Sequence, residues 1–186
     1  EGGVPEGETV EAGPARAAGV KPVVFYGSSI LQGGCASRPG MAYPAIIGRR
    51  LDWPAINQGY SGNGKSEPEM SALFAEIDAA AFVYDSLPNL TAEEARERVE
   101  PFLRALRKAR PELPLVLVEN AIYADFEYSE QRRTLITEKN RALRAAYEKR
   151  RKEGEKRIYY VRAEKLYGDD GEATVDGTHA TDVGFM

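Results

Sequence analysis

From Lys21 onward, short apolar runs alternate with longer segments of helical period, and this alternation limits the fold more than any other feature of the chain. Apolar runs this short suit strands covered on both faces, and strands separated by amphipathic helices require right-handed crossovers, so the pattern predicts β-α-β units around a parallel sheet. The predicted strands are Val23 to Tyr26, Ala55 to Asn57, Ala81 to Asp85, Leu115 to Glu119 and Ile158 to Val161. Five strands with helices between them make an α/β protein, a three-layer α/β/α sandwich on a five-stranded parallel sheet. Residues 1–20 carry Gly2, Gly3, Gly7, Gly13, Gly19, Pro5 and Pro14 without an apolar period. That composition predicts a linker or N-terminal arm ahead of one domain over residues 21–186.

The helix ends are legible. Ser66 with Glu69 fits a capping box, with Pro68 in the first turn and Met70, Leu73, Phe74 and Ile77 at core spacing. Thr91 with Glu94 repeats the box. Behind it Ala95, Val99, Phe102 and Leu106 form a buried stripe, and Arg96, Arg98, Arg104 and Arg107 form a solvated face. A long helix is predicted from Ser129 to Glu153, stopped by Gly154.

Composition removes whole classes of function. With 186 residues, 42% of them hydrophobic, the chain can bury one core, and a net charge of 25 − 29 = −4 gives no reason to expect a nucleic-acid partner. No apolar run approaches the roughly 20 residues that span a bilayer, so no membrane span is expected. These features read as a soluble protein and leave its compartment open. Cys35 is the only cysteine, which excludes an intrachain disulfide and a zinc site built from several cysteines. His179 is the only histidine, so a mechanism needing an imidazole base must use it, and a two-histidine metal site is ruled out.

Ligands of parallel sheets bind beyond the carboxyl ends of the strands, and four polar clusters fall there. They are Gly27-Ser28-Ser29-Ile30 running on to Cys35, Asn57 through Gly64, Asp85-Ser86-Leu87-Pro88-Asn89, and Asp176-Gly177-Thr178-His179. These parts suit acyl transfer. A serine hydroxyl becomes a nucleophile when a neutral imidazole takes its proton, and the imidazole needs a carboxylate to fix its tautomer. Ser29, His179 and Asp176 fill those roles, with Asp182 a weaker alternative as the orienting acid because it suits a helix cap better. The backbone N–H groups of Ser29 and Gly62 and the amide of Asn89 are candidate oxyanion donors.

In these four clusters the chain resembles the SGNH or GDSL-type hydrolases. Gly27-Ser28-Ser29-Ile30 is similar to their first block, with Ser29 as nucleophile and Ser28 where the family usually has Asp. The stretch from Phe25 to Ser29 and from Gly33 to Gly40 resembles a subgroup with serine there. Gly62 in Asn57-Gln58-Gly59-Tyr60-Ser61-Gly62 matches the oxyanion glycine of the second block. Asn89 matches the oxyanion asparagine of the third, although the family's Gly-x-Asn-Asp is here Leu87-Pro88-Asn89-Leu90, and Asp176 and His179 match the Asp-x-x-His of the fifth. The resemblance implies a flavodoxin-like fold and a serine esterase or acyltransferase that acts on a small-molecule acyl ester without metal or cofactor. It also implies a β-sandwich domain before residue 21 and a helix after Met186.

Two other functions fit parts of the sequence. Gly59-Tyr60-Ser61-Gly62-Asn63-Gly64-Lys65-Ser66 matches the phosphate-binding pattern G-x-x-x-x-G-K-[ST], followed by a strand ending in Asp85. Glu67 and Glu69 put negative charge where phosphates would lie, and Pro68 disfavours helical geometry at Glu67. A non-catalytic carbohydrate- or ester-binding module would instead use Tyr26, Tyr43, Tyr60, Tyr84 and Tyr123 for stacking. Cys35 is a rival nucleophile to Ser29, with a small buried packing residue as its simpler reading.

Overall fold

The computed structural model describes residues 3–14, 17 and 19–186, without the side chain of Lys165. Of the expected N-terminal arm, Glu1, Gly2, Ala15, Arg16 and Ala18 lie outside the described residues, and the rest has neither helix nor strand.

Five parallel strands, β1 (Val23–Gly27), β2 (Ala55–Gly59), β3 (Ala81–Asp85), β4 (Leu115–Val118) and β5 (Ile158–Val161), pair in the order β2-β1-β3-β4-β5. The helices are α1 (Ser29–Gln32), α2 (Tyr43–Leu51), α3 (Pro68–Ala75), α4 (Ala92–Ala109), α5 (Glu130–Lys152) and α6 (Asp182–Phe185). This is the expected α/β sandwich, and β2 runs two residues further than its short apolar core suggests because Gln58 and Gly59 still pair with β1.

Alternate residues of the strands face opposite layers. Val24, Tyr26, Phe82, Tyr84, Leu115, Leu117 and Ile158 pack with Phe74, Phe102, Leu106 and Leu143 in one core under α3, α4 and α5. Phe102 stacks on Tyr26 with ring centroids 5.4 Å apart, at the centre of an aromatic group that includes Phe74, Phe82 and Tyr84. Phe25, Val83 and Val118 face the other way, toward Leu31 of α1 and Tyr43 and Ile47 of α2. That face keeps an apolar groove of about 360 Å³, lined by Phe25, Val83, Val116, Val161, Tyr43 and Phe185 among others. No helix among the described residues is long and apolar enough to cross a membrane.

The helix signals divide. The Thr91–Glu94 capping box forms, with Thr91 Oγ1 accepting from Glu94 N–H at 3.1 Å and the Glu94 carboxylate accepting from Thr91 N–H at 2.9 Å. Thr91→Ala is expected to lower stability by about 1 kcal/mol in urea titration, with an unchanged slope. The Ser66–Glu69 box does not form. Pro68 starts α3 and Glu67 is its cap residue, while Ser66 takes φ +59° and turns its side chain into the core. Leu73, expected in the core, is 54% exposed. Arg107, expected on the solvated face, lies against Glu155 and the carbonyls of Leu113 and Arg157. In α5 the buried stripe is Ile136, Lys139, Leu143, Ala146 and Arg150, and Gly154 follows at φ +90°.

Candidate active site

All four polar clusters lie at the carboxyl edge of the sheet. β1 ends at Gly27, and a Cβ there would lie 2.2 Å from the carbonyl oxygen of Asp85 on β3, so only glycine lets the strand reach its last pair. Ser28, fully buried, caps α1 by accepting the Ile30 N–H at 3.2 Å. This is a role that serine and aspartate share, which gives the family's departure at this position a physical reason. Ser29 is then the first residue of α1, where its backbone N–H has no intrahelical acceptor.

Ser29 Oγ lies 2.9 Å from His179 Nε2, and His179 Nδ1 lies 2.7 Å from Asp176 Oδ2. The carboxylate fixes the tautomer: Nδ1–H donates to Asp176, and Nε2 is left to accept from the Ser29 hydroxyl. The Asp176 carboxylate is held well below the usual carboxylate range, first by the His179 backbone N–H at 2.7 Å, then by the imidazole, then by the Thr178 N–H at 2.9 Å. The loop itself is tied down at several points. Tyr167 donates to the Thr178 carbonyl, Ala124 N–H to the Gly177 carbonyl, and Thr174 bridges to Ala180. Asp182, the alternative orienting acid, points elsewhere. It accepts from the Ser37 N–H at 2.9 Å and the Ser37 hydroxyl at 2.5 Å, and Thr181 rather than Asp182 caps α6.

The loop after β2 carries Gly62 at φ +68°, a left-handed conformation that favours glycine. Among the described residues, the N–H groups of Ser29 and Gly62 have no hydrogen-bond partner. Asn89 differs, because its amide N–H groups donate to the carbonyls of Tyr60, at 2.9 Å, and Asn63. It binds the turn after β3 to the loop after β2. The same loop rests on a buried network in which Tyr26 OH accepts the Ser66 N–H and donates to Glu67, Ser66 shares a 2.6 Å hydrogen bond with Tyr84 OH, and Ser86 donates to the Gly64 carbonyl.

These contacts remove the phosphate-loop reading. The N–H groups of Lys65 and Ser66, which a phosphate cradle would need, are taken by the Glu67 carboxylate and Tyr26 OH. The stacking role for tyrosines also fails for Tyr26, Tyr84 and Tyr123, which are buried.

Cys35 is not the buried packing residue its small size suggested. It is exposed at φ +70°, and Gly34 beside it passes so close that a Cβ there would lie 3.0 Å from the Ser29 carbonyl and 3.5 Å from the His179 ring. Its Sγ, an Asp176 carboxylate oxygen and a His179 ring nitrogen all lie within 4.8 Å of one another. Lys139 is a second residue that sequence reasoning missed. Its buried ammonium donates to the Pro88 carbonyl at 3.3 Å, next to Asn89, and burial lowers its pKa to about 8. The signal was present: Lys139 continues the Ile136-Leu143 stripe, and a charge on a buried stripe needs a partner.

Residues 20–186 match the sequence profile of the GDSL-like Lipase/Acylhydrolase family. The chain belongs to this family. No curated protein sequence matches it. Among solved structures, the GDSL-like hydrolase fold seen here superposes with a TM-score of 0.85 on a protein assigned as a GDSL-like lipase from Bacteroides ovatus. That pair is 41% identical over 89% of this chain and 49% of the other. A salicylyl-acyltransferase from a tetracycline biosynthetic pathway (TM-score 0.78, 16% identity, 91% and 52% covered) shares the fold. So does a family two carbohydrate esterase from Clostridium thermocellum (0.70, 14%, 95% and 63%). The chain thus spans about half to two thirds of the length of these relatives.

Proposed function

We propose that the protein is a serine esterase or acyltransferase whose nucleophile is Ser29. The observation that carries this is the unbroken relay from Ser29 Oγ to His179 Nε2 and from His179 Nδ1 to Asp176, at 2.9 and 2.7 Å. In the acylation step Nε2 takes the hydroxyl proton as Oγ attacks the ester carbonyl carbon, and the charged Asp176 stabilises the imidazolium that forms. The imidazolium then gives its proton to the departing alkoxide. Water, or an acceptor alcohol, repeats the sequence on the acyl-enzyme, and Ser29 is regenerated.

The oxyanion of each tetrahedral intermediate is received by the Ser29 and Gly62 N–H groups, whose lack of internal partners among the described residues leaves them free to donate. Asn89 joins them by turning one N–H from a loop carbonyl to the oxyanion when substrate arrives. A non-catalytic binding module has no need of a serine, imidazole and carboxylate in series, so the enzyme reading is preferred.

A serine-directed fluorophosphonate tests this proposal. The reagent is expected to add one phosphonyl group to the peptide containing Ser29 and to stop hydrolysis of p-nitrophenyl acetate in proportion to labelling. Hydrolysis that survives complete labelling, or a label on another residue, removes Ser29 from the mechanism. An acyl-chain series run beside acetylated sugars then defines the substrate class.

A further inference from the structure

We propose that Cys35, His179 and Asp176 form a zinc-binding site across the mouth of the triad, and that zinc held there reversibly inhibits the enzyme. The donors are one sulfur, one imidazole nitrogen and one carboxylate oxygen, all within 4.8 Å of one another, and no other such group of three is found among the described residues. Zinc accepts this donor set in a tetrahedron with bonds of about 2.0 to 2.3 Å and takes water in the remaining position. Donors around such an ion stand roughly 3.6 Å apart, so the thiol must close on the pair while His179 Nδ1 and Asp176 Oδ2, now 2.7 Å apart, part slightly to admit the ion. Cys35 is exposed, so no packed core holds its side chain against such an adjustment.

The backbone explains why the thiol is there. The left-handed turn at Cys35 and the close passage of Gly34 beside His179 bring this loop against the imidazole. Acyl transfer leaves the thiol unused, and its exposure means that packing does not account for it. On coordination the thiol loses its proton to solvent, so thiolate and carboxylate together balance the two charges of the ion. Calcium and magnesium, which prefer oxygen donors, gain little from a site of this kind.

Inhibition follows from either mode of imidazole binding. Coordination at Nε2 consumes the lone pair that accepts the Ser29 proton. Coordination at Nδ1 breaks the contact with Asp176 and moves the ring's single proton to Nε2, which then has no lone pair to take the Ser29 proton. The loss of activity rests on the acyl-transfer reading; the binding of metal does not.

Two measurements on the chelator-treated protein test the proposal. In the first, zinc chloride titrated against a chromophoric zinc indicator is expected to load one ion per chain, with affinity at least tenfold lower in Cys35→Ala and also in Cys35→Gly, which suits the left-handed backbone. Cobalt(II) should give a thiolate charge-transfer band that Cys35→Ala lacks. In the second, zinc should inhibit p-nitrophenyl acetate hydrolysis, EDTA should restore it, and calcium and magnesium should have no effect. Cys35→Ala should keep the uninhibited rate and need at least tenfold more zinc for the same inhibition. Equal zinc affinity, or equal sensitivity, in the cysteine variants overturns the site. Cysteine-dependent zinc uptake by a protein that hydrolyses no ester would uphold the metal site and sink the acyl-transfer reading instead.

Discussion

Ser29→Ala is expected to reduce ester hydrolysis by at least three orders of magnitude while leaving the fold and its unfolding midpoint nearly unchanged. The size follows from the role: without Oγ no acyl-enzyme forms, and what remains comes from the oxyanion donors acting on direct attack by water. The stability expectation follows from the surroundings. Ser29 starts a four-residue helix whose cap is supplied by Ser28, and its hydroxyl contacts His179, whose side chain is 29% exposed, so alanine leaves no buried group without a partner. Steady-state rates and urea titrations on the same preparation separate the two effects. Retention of more than a tenth of the wild-type rate would show that another residue is the nucleophile.

The second large effect is one of stability and lies at Asp85. This carboxyl ends β3, is buried beside the apolar groove, accepts the Tyr43 hydroxyl at 2.9 Å, and is pushed up to about 7 by burial. Its ordinary range is near 4, so between about pH 4 and 7 the folded protein holds a proton that the unfolded chain has released. Stability contributed by the protonated group is therefore full below about pH 4 and is lost as the pH rises through about 7. A displacement of about three pH units corresponds to roughly 4 kcal/mol once the loss is complete.

Asp85→Asn removes the ionisation and keeps an oxygen for the Tyr43 hydroxyl. It is expected to be about 2 to 4 kcal/mol more stable than wild type at pH 8 and within about 1 kcal/mol of it at pH 4.5. Urea titrations at the two pH values check this. A variant no more stable than wild type at pH 8 would mean that the carboxylate is well solvated or paired in the fold.

The layers and the strands were legible in the sequence because each depends on short-range patterning, and the residues of the relay because they lie in short motifs, one of them holding the only histidine. Four- and five-residue apolar runs announce strands buried on both faces, and Thr91 with Glu94 announces a helix start. Ser66 shows where this local logic fails. Its spacing to Glu69 is that of a capping box, but a left-handed backbone and two buried tyrosine hydroxyls on neighbouring strands give it better partners. Leu73 was misplaced because α3 is only eight residues long and one face of it meets solvent. Cys35 was misread because its exposure is set by a backbone dihedral and by the approach of a loop 140 residues away. Asn89 was found by motif, whereas its two carbonyl partners belong to a loop 26 and 29 residues earlier and could be seen only in three dimensions.

The contact between Ser29 and His179 joins positions 150 residues apart in sequence. On the acyl-transfer reading, Ser29 is made early in synthesis and stays inert until the 150 residues up to His179 have followed it and the His179 loop has docked. Contacts of such long range are slow to close, so in refolding from urea the return of hydrolysis should trail the return of helical circular dichroism. On that same reading, hydrolysis reports the docking of the His179 loop, a late step of folding that secondary structure alone does not reveal.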